Sequence, residues 1–202
     1  MSNDDSYRKL DSKKAAKVLS RLTDLLDMPP FSPDTTVVFS RPLSFLPHWS
    51  LVEAADGTSL PERRIVALDD GKRAVVVDYG AALPAEIAST FQVNHDTVCD
   101  YVRFYLTYAR SGADRFILVE NIDDMPWRDD MGPSARKSLG KQVIPLTLVT
   151  YDGQDCTLKA SLLFRNTLFE ATIKVTEKGK VTVKRDSKIA EDLSVFDVAT
   201  GF

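Results

Sequence analysis

The sequence predicts an α+β protein. A curved antiparallel sheet, built on a four-strand meander over residues 143–186, packs round a long aromatic-rich helix over 94–110, with an N-terminal helix over 7–27. Two observations carry this. Near the C-terminus apolar residues recur at every second position, the period of a strand with one buried face. Between 94 and 110 the polar residues Asp96, Asp100, Arg103, Thr107 and Arg110 recur at steps of four and three. They make one narrow stripe on a helix that is otherwise apolar and therefore covered on most of its circumference.

Residues 1–6 are polar and expected to be disordered. Tyr7 to Asp27 reads as a helix because Ala15, Val18, Leu19, Leu22, Leu25 and Leu26 fall at spacings of three and four. Asp11 or Ser12 would cap it if it began later, and Met28-Pro29-Pro30 stops it. Residues 28–61 also carry Pro33, Pro42, Pro47 and Pro61, and are expected to wrap irregularly. Short β-prone pieces lie within them at Thr36 to Phe39 and Trp49 to Ala54. Arg64 to Leu68 and Arg73 to Asp78 are firmer strands, since Asp70-Gly71 between them is a hairpin signal.

Pro84 to Phe91 is a short helix candidate with proline near its first turn. Helix 94–110 follows, ended by Ser111-Gly112, and then a strand at Phe116 to Glu120. Residues 121–140 form a connection of twenty residues without clear structure. Loops of that length are uncommon in a compact domain and are often functional. The meander comes next. Pro145 cannot donate to a ladder, which puts its first strand at an edge. Cys156, Leu158, Ala160, Leu162 and Phe164 alternate with Thr157, Lys159, Ser161 and Leu163. Phe169, Ala171, Ile173 and Val175 alternate with Leu168, Glu170, Thr172 and Lys174. Asp152-Gly153, Arg165-Asn166 and Lys178-Gly179 supply the turns. After Asp186 the chain reads as less regular, with Ile189, Leu193, Val195 and Phe196 packing a tail onto the core.

A length of 202 residues and 44% hydrophobic content fit one domain spanning 1–202. The net charge of −3 argues against non-specific nucleic-acid binding. No apolar run approaches a membrane span, and MSNDDSYRKL lacks the apolar core of a signal peptide. The expected location is the cytoplasm, with Cys99 and Cys156 as reduced thiols. In shape, helices followed by a long curved meander resemble the cystatin or NTF2-like class. A long helix gripped by a sheet resembles the hot-dog class. Both classes include dimers that use the sheet, so the resemblance implies a homodimer; activity follows from sites, not from shape.

Three places could carry chemistry. At the helix start His95 and Cys99 stand four apart, hence on one helical face. The helix N-terminus would acidify the thiol into a nucleophile, or the pair could contribute to a zinc site with Cys156 and His48. His95 with Asp96 or Asp100 would serve acid/base work. The plain alternative has Asn94 or Asp96 capping the helix and Cys99 in the core. In the 121–140 loop, Asp123, Asp124, Asp129 and Asp130 surround Met125, Trp127 and Met131. An apolar tip on an acidic loop suits a lid or a protein contact; alternatively Trp127 anchors the loop and the aspartates face water. Tyr101, Phe104, Tyr105 and Tyr108 could line a pocket or simply fill the core. Lys159, Arg165, Glu170, Lys174 and Lys184 share a sheet face, read as solvated ion pairs or as an anion surface that Glu170 interrupts.

No glycine-rich phosphate loop, G-x-S-x-G or other catalytic signature occurs, so no cofactor or resident metal is expected. The reading is a binding or scaffold protein, with a protein partner or a second copy, acting through a sheet surface or the 121–140 loop. The alternative is an enzyme on a small molecule, with an acid/base pocket between helix 94–110 and the sheet.

Overall fold

A computed structural model describes residues 7–23, 25–26, 29–77, 85–109, 116–129 and 131–196. Contacts gather the chain into two compact units, residues 1–83 and 84–202, each with its own five-stranded antiparallel sheet. The α+β class therefore holds. Two expectations, the fraying of residues 1–6 and the stop at Ser111-Gly112, lie outside the described residues.

In the first unit, β1 (Arg8–Lys9) pairs with β2 (Thr36–Pro42), which continues through β3 (Ser50–Asp56), β4 (Arg63–Asp69) and β5 (Ala74–Val76) as a simple meander. Helix α1 (Ser12–Thr23) is shorter than the predicted 7–27. Asp11 decides its start: its Oδ1 accepts the Lys14 N–H at 2.9 Å, the capping bond that leaves preceding residues extended. Arg8 and Lys9 use that freedom to pair with Ser40 and Phe39. Ala15, Val18, Leu19 and Leu22 face Val38, Val52, Ala54, Ile65, Ala67 and Ala74. The 28–61 stretch is not an irregular wrap, for it holds both seven-residue strands β2 and β3. Its prolines sit at the end of β2 and in the connections, where no ladder N–H is lost. Asp70 Oδ1 accepts from the N–H groups of Lys72 and Arg73, and Gly71 takes φ +85°, closing the β4–β5 hairpin.

The second unit begins with α2 (Ala85–Ala88) and α3 (Val98–Phe104), the latter extended by a π-type turn over Tyr105–Ala109. Then come β6 (Ile117–Val119), α4 (Pro133–Gly140), β7 (Thr147–Tyr151), β8 (Cys156–Phe164), β9 (Thr167–Val175) and β10 (Val181–Ala190). The order is β10-β9-β8, with β6 and β7 both lying along the far side of β8. Gly153, Arg165 and Gly179 all take positive φ, as their turns require. One correction concerns the end of the meander. The chain does not lose regularity after Asp186; β10 runs to Ala190, with bulges between Arg185 and Ser187 and between Lys188 and Ala190.

Cys156, Leu158, Ala160, Leu162, Ala171, Ile173 and Val175 form the fully buried face of this sheet. Helix α3 is tied against the sheet at three points. The Tyr101 hydroxyl donates to the Gly179 carbonyl in the β9–β10 turn. Cys99 takes a hydrogen bond from the Leu148 backbone on β7. Arg103 grips Glu120, beyond β6, with two bonds of 2.9 and 2.8 Å. On the opposite face the described residues cover one end. There Leu163 and Leu168 pack with Val119, Met125, Leu139, Leu193 and Val195. Phe196 departs from the expected tail packing: it is 53% exposed, with Arg128 over its ring.

Candidate functional site

The predicted start of helix 94–110 shifts to Val98. The Asn94 carboxamide oxygen accepts from the N–H groups of Asp96 and Thr97, which holds 94–97 as a turn. His95 thus stands before the helix, not on its face. Its Nε2 lies 3.1 Å from Asp96 Oδ1, and both side chains are open to water, at 60% and 76% exposure. Its ring meets that of Tyr151, 5.7 Å away between centroids. No hydrogen bond joins His95 to Cys99. The Cys99 thiol is not acidified; burial pushes it up, outweighing the pull of Arg103. Asp100 pairs with Arg103 at 3.2 Å. Among the described residues, no group of three or more histidine, cysteine or carboxylate side chains is placed to hold a metal ion.

The aromatic cluster is largely core. Tyr101 is 4% exposed and Phe104 0%. The Tyr101 ring meets those of Phe91 at 5.2 Å and Tyr105 at 6.3 Å. Burial pushes the Tyr101 phenol up.

The 121–140 segment is not structureless. A capping box joins Asn121 and Asp124 across a short 3-10 turn, Ile122–Asp124, and α4 occupies its second half. Met125 is buried. The Trp127 indole N–H donates to the Ile122 carbonyl at 3.0 Å, and Trp127 bridges to Val195. Asp123 pairs with Arg136, and Asp129 accepts from the Ser194 hydroxyl at 2.6 Å. Asp130 is outside the described residues. The apolar residues at the middle of this segment are anchors, and its described aspartates have structural partners.

The polar face of the second sheet is where charge stays available. Register puts Thr150, Thr157, Lys174 and Thr182 in one row, and Thr147, Lys159, Thr172 and Lys184 in the next. Lys159 is neutralised twice, by Glu170 at 2.7 Å and by Asp186 at 2.8 Å. Lys159, and then Thr172, hold the Asp186 carboxyl down at about 2. Asp186 lies on this face by alternation after Lys184 and Arg185, and the bulge at 185–187 brings Ser187 there as well, onto Glu170. Arg165 belongs to the turn and stacks on Phe164. Lys174, Lys178 and Lys180, all exposed, have no anionic partner among the described residues. Lys178, Lys180 and Asp186 were not among the residues singled out from sequence, although residues 174–188 hold six basic and two acidic side chains in a chain of net charge −3.

No family model matches the chain, and neither does any curated protein or solved structure. No described helix is long and apolar enough to cross a membrane.

Proposed function

We propose that this chain is a binding or scaffold protein that works through the polar face and outer edge of its second sheet. The observation that supports this most is the contrast among the cations on and beside this sheet. Lys159, Lys188, Arg103 and Arg136 are each paired internally. Among the described residues, Lys174, Lys178 and Lys180 at the β9–β10 turn are not. Unpaired, exposed charge costs nothing in water and is free to attract a partner. The 121–140 segment loses its claim to this role because its Trp127 and Met125 serve the core. A homodimer formed through the sheet, which the resemblance to the cystatin, NTF2-like and hot-dog classes implies, would use the same face.

The acid/base reading rests on the His95–Asp96 contact. It lacks the screening from water that tunes such a pair, given their exposure.

Lysine-reactive cross-linking of the intact chain in cell extract tests the proposal. Partner cross-links should concentrate on Lys174, Lys178 and Lys180 and vanish in a variant carrying Thr157→Glu, Lys174→Glu and Thr182→Glu. Cross-links confined to Lys137 would return the function to the 121–140 segment.

A further inference from the structure

The identity of the partner can be carried one step further, resting on the reading just given. β10 is the terminal strand of its sheet, and no described strand pairs with its outer edge. The Thr176 N–H donates to the Lys180 carbonyl at 3.0 Å, which fixes Lys180 and Thr176 as a hydrogen-bonded pair. Alternation along an antiparallel ladder then directs Thr182 and Lys184 toward β9, and leaves the N–H and C=O groups of Val181, Val183 and Arg185 on the open side. Register is regular from Val181 to Arg185, and the first bulge comes only after that. The usable edge is therefore about five residues long, the length of an ordinary strand.

The charges round this edge discriminate between occupants. Lys180, Thr182 and Lys184 alternate onto the polar face, and Lys174 stands opposite Thr182. A second copy pairing antiparallel along this edge would bring two 174–188 segments together, each with six basic and two acidic side chains, and their net like charge repels. Lys174 and Lys180 would receive carboxylates at alternate positions of an incoming strand, and Lys184, which also meets Asp186 at 3.4 Å, would share one. Rejection of self and attraction of an acidic segment thus come from one set of residues.

We infer that the Val181–Arg185 edge of β10 takes up an extended acidic segment of another protein by strand addition, with alternate carboxylates beside Lys174, Lys180 and Lys184. Main-chain bonds would give the affinity and the lysines the choice of sequence.

Two blocked octapeptides test this on the full chain: alternating threonine and glutamate, and alternating proline and glutamate. They carry equal charge, but the prolines cannot donate to a ladder. The threonine peptide should bind, with affinity falling as salt rises. It should also slow amide exchange at Val181, Val183 and Arg185. The proline peptide should bind roughly tenfold less well, and the variant carrying Lys174→Glu, Lys180→Glu and Lys184→Glu should lose a similar factor for the threonine peptide. All three lysines are exposed, so this variant should keep the native circular dichroism. Equal binding of both peptides, or binding without protection of those amides, would overturn strand addition and leave a plain polyanion surface. Protection of the same amides in the concentrated free chain would overturn it in favour of a second copy. If neither peptide binds while the cross-links at Lys174, Lys178 and Lys180 persist, the acidic occupant is wrong and the sheet-surface reading stands.

Discussion

The two sheets have the same number of strands and different covers. In the first unit, one helix between β1 and β2 lays Ala15, Val18, Leu19 and Leu22 over one face. In the second, the cover is divided. Helix α3 takes one face, while the 122–143 segment and the tail at 189–195 take one end of the other. Leu162 and Leu163 are neighbours pointing to opposite sides, yet they are 0% and 1% exposed. A period of two assigns side chains to faces; it does not say how many faces are dry. What divides the cover also leaves a gap, and the polar rows round Lys159 and Lys174 lie in it.

The sharpest test of that comparison is core truncation. Leu22→Ala in the first unit and Leu168→Ala in the second, both 0% exposed, should each cost about 2–5 kcal/mol. Amide exchange should then rise in β2–β4 for the first and in β8–β10 for the second. An equal rise in both sheets from either change would show one cooperative block and break the comparison.

The next effect in size compares the polar ties. Arg21 holds Asp69 with bonds of 2.7 and 2.8 Å, and the side chains are only 21% and 10% exposed. Arg21→Met should cost roughly 2 kcal/mol in denaturant unfolding, because it strands a carboxylate that is nearly out of water. Tyr101→Phe removes one buried donor and should cost about 1 kcal/mol. A Tyr101→Phe loss as large as that of Arg21→Met would mean the phenol does more than fasten the β9–β10 turn.

The smallest effect concerns acid. The folded value of Asp186, about 2, lies below its ordinary 3.8. Its stabilisation is therefore complete above the ordinary value and drains away as pH falls toward 2. Glu170, also lowered by Lys159, acts in the same direction. The melting temperature of Lys159→Met should fall less steeply between pH 5 and about 2 than that of the parent chain. Parallel curves would remove this network from the acid response.

Much of the strand pairing in both sheets was legible because its signals are local. Asp70-Gly71, Asp152-Gly153 and Lys178-Gly179 name their turns, and Pro145 names an edge. The candidate site was far less legible. His95 and Cys99 have helical spacing, but the Asn94 turn delays the helix past His95. Cys99 looks activated in sequence, yet its burial raises the thiol. Leu163 and Leu168 were placed on the outward face by alternation. Their being leucine was the available sign that something covers them.

The sequence by itself determined the class, the turns and the pairing of neighbouring strands. Those depend on contacts within a few residues and on φ preferences that each residue carries with it. Tertiary structure alone decided that β6 returns to lie beside β8, that Trp127 anchors its segment, and which lysines have no anionic partner among the described residues. Each of these depends on groups far apart in the chain meeting at one place, and no local period records such a meeting.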